Sequence, residues 1–140
     1  MNSKVFILFS LTLTTLSSSA GELWAINCDS GLGYITLKKN NSELVVNSNQ
    51  IVISASANNN EDSKISFFLN EPLDLGRGGM MLKWQDFSKQ KPIAMAIVNG
   101  NEMNLSWYGF FDSKQDKYVW MSESDFSSKN NKNVTLFKCE

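Results

Sequence analysis

The chain has 140 residues, 42% of them apolar and only 19% charged, which is the composition of a folded core and excludes a disordered chain. Thirteen basic residues stand against fourteen acidic ones with the signs mixed, so the charge carries no footprint for nucleic acid or for an anionic membrane. Histidine is absent, which removes Ser-His and Cys-His nucleophile pairs and the commonest ligand of zinc and iron.

The first twenty residues have the pattern of a signal peptide. Met1 to Lys4 give a short positive start, Val5 to Leu16 an apolar run, and Ser17-Ser18-Ser19-Ala20 a small-residue site before Gly21. The run is about twelve residues, short of the ~20 that a spanning helix needs, so cleavage near Ala20 and no membrane span afterwards are expected. No cysteine follows the small residues directly, which argues against a lipoprotein. The remainder, 21–140, has the size of one domain. Lys4 is the only charged residue before Gly21, so the remainder carries 12 basic residues against 14 acidic. The expected compartment is periplasmic or secreted. There the only two cysteines, Cys28 and Cys139, would form one disulfide fastening the first strand to the last. The chain-entropy model gives a loop of this size roughly 4–5 kcal/mol.

Turn clusters cut 21–140 into short apolar runs. Glu22 to Cys28 reads as the first strand, closed by Asp29-Ser30-Gly31, and Tyr34 to Lys39 as the second, broken at Asn40-Asn41. Glu43 to Asn47, Gln50 to Ala57 and Lys64 to Asn70 follow, separated by Asn-rich turns. This punctuation predicts an all-β domain, a single antiparallel barrel or sandwich of about 8–10 short strands closed by one disulfide. Only Ser122 to Lys129 suggests a helical turn, with Ser122 or Ser124 as its cap.

Glu71 to Gly79 breaks the rhythm with Pro72, three glycines and the only arginine, Arg77. One reading is a wide crossover whose glycines turn a corner. The other presents Arg77, with Asp74 near it, to a partner; a planar guanidinium suits the paired carboxylates of a lysozyme-type cleft.

The densest apolar stretch is Pro92 to Met121, read as strands PIAMAIV, MNLSWYGFF and KYVWM. A two-residue Asn99-Gly100 turn would set Ile93, Met95 and Ile97 opposite Ser106, Asn104 and Glu102. A three-residue loop closing at Asn101 sets them beside Trp107, Leu105 and Met103, and burial favours it because each large side chain left in water forfeits ~1.5–3 kcal/mol. The expected inward residues are Trp24, Ile35, Leu37, Ile53, Phe67, Met95, Ile97, Leu105, Trp107 and Val119. Tyr108 and Phe110 then face the other way, either under a second sheet or as an exposed aromatic patch. Asp112, Asp116, Glu123 and Asp125 offer carboxylate pairs, and Asp112 to Asp116 reads as a hairpin turn without the spacing of a calcium loop. No catalytic residue, metal ligand set or cofactor is expected, and the chain is not read as an enzyme.

Ile26-Asn27-Cys28-Asp29-Ser30-Gly31 resembles the aromatic-x-Cys-x-x-Gly opening of the MliC type of periplasmic lysozyme inhibitor, with Ile26 where an aromatic is usual. Ser54-Ala55-Ser56-Ala57 is similar to that family's Ser-Ala-Ser-Gly-Ala motif, and Phe67-Phe68 falls near its Phe-Trp. The resemblance runs from Cys28 to about Asn70. It implies a small barrel whose Ser54 and Ser56 enter a lysozyme cleft, although Ala57 replaces the glycine and Asn70 stands where a lysine is expected.

The leading expectation is an exported protein that neutralises another protein, a lysozyme or other peptidoglycan hydrolase, as a lysozyme inhibitor or immunity protein does. Its contacts would come from Arg77, Asp74, Ser54, Ser56 and Tyr108. The alternatives are a small-ligand or glycan-binding barrel and a carboxylate-based hydrolase.

Overall fold

The computed structural model describes residues 21–39, 41–47, 50–60, 63–127 and 133–140, so the expected leader lies outside the described residues. The apolar runs become strands β1 Glu22–Ala25, β2 Tyr34–Leu37, β3 Ser42–Val45, β4 Val52–Asn60, β5 Lys64–Asp74, β6 Pro92–Asn99, β7 Glu102–Trp107, β8 Phe110–Asp112, β9 Lys117–Val119 and β10 Asn133–Cys139. Single 3-10 turns occupy Gly79–Met81 and Trp84–Asp86. Eight strands close an antiparallel barrel in the order β1-β10-β7-β6-β5-β4-β3-β2, and β8 and β9 form a separate hairpin. The barrel, not the sandwich, is thus the form taken. Closure leaves the barrel itself with no unpaired sheet edge.

The first strand is shorter than expected, because the chain turns after Ala25 and Ile26 N bonds back to Gly33 O at 3.3 Å. Cys28 lies in that turn and is bonded to Cys139 of β10, the strand that pairs with β1.

Strand direction alternates around the barrel, so the connections after β1, β3, β5 and β7 all gather at one end. That end is filled by aromatic rings. Phe110 lies 5.0 to 5.5 Å from Phe87, Trp84, Trp107 and Trp120, and Phe126 packs on Trp107 at 6.0 Å. Ser124 Oγ and Asp125 N both donate to Val46 O, which ties the segment after β9 onto the barrel rim. This segment makes only bends and a turn through Ser127, rather than the expected helical turn; Ser124 Oγ does accept from Phe126 N, as a cap would. The rest of that turn lies outside the described residues.

Two expectations are corrected in the β6–β7 hairpin. Its two-residue loop is Gly100-Asn101, with Asn99 opposite Glu102 and Gly100 at φ +61° in the first central position, where type II′ turns take glycine. Ala94, Ala96 and Val98 therefore share the inner face with Trp107, Leu105 and Met103, while Met95 and Ile97 face outward beside Ser106 and Asn104. Ile97 is 45% exposed. Ile93 is buried by another route: the β5–β6 register shifts between Phe67 and Phe68, and the extra residue turns inward. Phe110 is also fully buried instead of facing away. Gly109, at φ +101°, breaks the alternation so that Trp107 and Phe110 both point into the plug. The remaining expected core holds: Trp24, Ile35, Ile53, Phe67, Leu105 and Trp107 are buried, and Leu37 and Val119 pack half-buried against them.

Candidate functional site

β4 and β5 are the longest strands, and their pairing carries most of the residues singled out above. The register shifts twice, between Val52 and Ile53 and between Ser54 and Ala55, which leaves Leu73 and Asn70 as extra residues on β5. Such bulges re-aim side chains and sharpen the local twist. Pro72 is tolerated here because a bulge adjoins it and a proline has no N–H to place in the ladder. The expected loop from Glu71 is consequently shorter, since β5 continues to Asp74.

Asn70 gathers the two motif serines. Ser56 Oγ donates to Asn70 Oδ1 at 2.8 Å, and Asn70 Nδ2 donates to Ser54 Oγ at 3.5 Å and to Asn41 Oδ1 at 3.4 Å. Ser54 is 8% exposed, so its hydroxyl serves this network from beneath the surface, while Ser56 and Asn70 are half-buried. The outer face of this ribbon continues through the pairs Ser54 with Glu71 and Val52 with Asp74 to the loop that holds Arg77.

That loop is fastened at its base and exposed at its tip. Asp74 Oδ1 accepts from Gly76 N at 3.0 Å, Gly79 N donates to Leu75 O at 2.7 Å, and the Trp84 indole donates to Gly79 O at 2.7 Å. Gly79 is buried against Ile51 and Leu75, where a Cβ would press on Leu75 Cβ. Asp74 is thus engaged with its own turn, and among the described residues no ion pair includes Arg77. Arg77 is exposed and is flanked by Leu73, Met80 and Met81, which are 50%, 73% and 86% exposed.

Tyr108 belongs to a neighbouring aromatic strip. Ser56 pairs with Phe68 and Phe68 with Pro92, a row of three strands that puts Pro92 roughly 10 Å from Ser56. Pro92 O accepts the Tyr118 hydroxyl at 2.8 Å, and Tyr108 lies 6.1 Å from the Tyr118 ring. Burial, and then the adjoining Tyr108 phenol, hold the Tyr118 phenol above its usual 10.0. It therefore remains a donor throughout the physiological range. Lys91 Nζ sits 4.8 Å over the Phe111 ring at the same edge.

Protein-family models, curated proteins and solved structures contain no match to this chain.

The carboxylates have local tasks. Asp112 Oδ1 accepts from Lys114 N and Gln115 N, and its Oδ2 from Gln115 Nε2, which builds the expected hairpin turn. Glu123 Oε2 accepts from Ser122 N. Asp125 Oδ2 is buried with no hydrogen-bond partner, and burial raises its carboxyl above the usual 3.8. Among the described residues no three of His, Cys, Asp and Glu are grouped to hold a metal ion, and no helix is long and apolar enough to cross a membrane.

Sequence reasoning passed over Leu73, Met80 and Met81. A signal was available for the methionines: Met80-Met81 follows the glycine-rich stretch and belongs to no alternating run, so no strand face claims it.

Proposed function

We propose that the chain is an exported protein that neutralises a peptidoglycan hydrolase by stoichiometric binding, in the manner of a lysozyme inhibitor or an immunity protein. The observation that carries the reading is Arg77, an exposed guanidinium with no ion-pair partner among the described residues, held on a fastened loop between exposed Leu73 and the exposed Met80 and Met81. A hydrolase cleft with paired carboxylates offers the complementary charge. Methionines add adaptable apolar contact around it, and a loop already fastened loses less freedom on binding. Ser56 and Asn70 extend the surface along β4 and β5, the region in which the resemblance to MliC-type inhibitors lies. The test is inhibition of a panel of purified muramidases and amidases by residues 21–140. Loss of one enzyme's activity at an equimolar ratio is expected, and a panel left fully active contradicts the reading.

A second reading, glycan binding, is supported by the half-buried Tyr108 and Tyr118 pair on the outer strip. Titration calorimetry with chitooligosaccharides tests it. Saturable heat that disappears in Tyr108→Ala would move the function to that strip.

A further inference from the structure

The end of the barrel opposite the aromatic plug is a bowl of about 650 Å³. Its volume falls within the ~300–1,000 Å³ of sites that take small molecules, and the mouth of a β-barrel is a common place for one. The floor is apolar: Trp24, Leu37, Ala57, Ile65 and Val98. Small side chains create the room. Ala57 and Val98 occupy inward positions where a larger residue would fill the mouth, just as Trp107 and Phe110 fill the other end.

The rim carries three lysines. Lys38, Lys39 and Lys64 line it, with Glu22 as the only acid among the described lining residues. Glu22 is already engaged, since its Oε2 accepts from the Trp24 indole at 3.4 Å and its Oε1 pairs with Lys138 at 3.5 Å. Lys38 pairs with Glu43 at 3.3 Å. Lys39 and Lys64 enter no ion pair among the described residues. Asn59 and Ser63 add hydrogen-bonding groups to the rim.

An apolar floor beneath two ammonium groups with no ion-pair partner among the described residues matches one kind of ligand. We propose that this bowl binds a small anionic amphiphile, a single-chain acyl carboxylate, with its chain on the half-buried Leu37, Ala57 and Val98 and its head group at Lys39 and Lys64. This site is independent of Arg77. Lys64 begins β5 and the Arg77 loop follows its end, eleven residues or roughly 35 Å of strand away.

The test is titration calorimetry of residues 21–140 with dodecanoate below its micellar concentration. The trimethylammonium and maltoside amphiphiles of equal chain length serve as cationic and neutral comparators. Saturable 1:1 binding of dodecanoate is expected, at least tenfold tighter than that of the cationic amphiphile. Lys39→Gln with Lys64→Gln should weaken it tenfold or more, and Ala57→Trp should abolish it with the disulfide intact. If Ala57→Trp does not fold, Asn59→Trp places the bulk on the exposed rim instead. Arg77→Ala should leave dodecanoate binding unchanged, which separates failure here from failure of the hydrolase reading. The proposal is overturned if dodecanoate binding is not saturable, if the cationic amphiphile binds as tightly, or if the double lysine variant retains wild-type affinity. Sedimentation with phosphatidylglycerol vesicles without binding of free dodecanoate would also overturn it, by assigning the lysines to a membrane surface.

Discussion

Gly109 shows how one residue can redirect an element. Its φ of +101° is closed to most side chains, and a Cβ there would run into the Val119 carbonyl oxygen. Gly109→Ala should cost about 3 kcal/mol, combining backbone strain with a clash that cannot relax cheaply; urea denaturation checks this. A glycine inside a run such as MNLSWYGFF is itself a mark of a break, so the reversal of Phe110 was legible to a reader who weighed that residue above the alternation around it. Asp125 makes a different prediction. Burial raises its folded-state pKa above 3.8, so the folded chain holds this proton more tightly than the unfolded one. The stability this group contributes is fully present below 3.8 and is lost as pH rises through the raised value. Asp125→Asn should therefore be more stable than wild type near neutral pH, and the difference should shrink on acidification. Thermal melts of both chains across that range would show it, and a difference that grew toward acid would refute it.

At the scale of elements, the β6–β7 register separates what a pattern determines from what packing determines. Ile93, Met95 and Ile97 alternate as apolar residues, and burial alone favours turning that face inward. Inside a closed barrel, however, opposite positions must share limited volume. Trp107, Leu105 and Met103 are met by Ala94, Ala96 and Val98, large against small, and the register follows the volume. Ile97→Thr should thus change stability by no more than about half a kcal/mol, whereas Ala96→Leu should cost about 1–3 kcal/mol by overpacking. The register with Ile97 inside predicts the reverse order. The β4–β5 bulges were illegible for a related reason: an extra residue leaves no trace in composition, and only the completed pairing shows that Asn70 turns to Ser54 and Ser56.

At the scale of the molecule, turn spacing and the two cysteines sufficed for an all-β fold joined at its ends. Spacing could not choose barrel over sandwich, because closure depends on β10 inserting between β1 and β7, a pairing across nearly the whole chain. The excursion between β7 and β10 uses the aromatics to seal one end and leaves the other as a bowl. Arg77 was legible as the only arginine of the chain, and Met80-Met81 as a pair outside any alternating run; the fastening of their loop was not, because it depends on Trp84 reaching Gly79 O. The functional account rests on that residue. The measurement that tests it most directly is the affinity of the inhibited hydrolase for wild type and for Arg77→Ala. The account predicts a loss of about thirtyfold, the ~2 kcal/mol of an interface hot spot, with an unchanged melting temperature. Equal affinity for the two chains would contradict it.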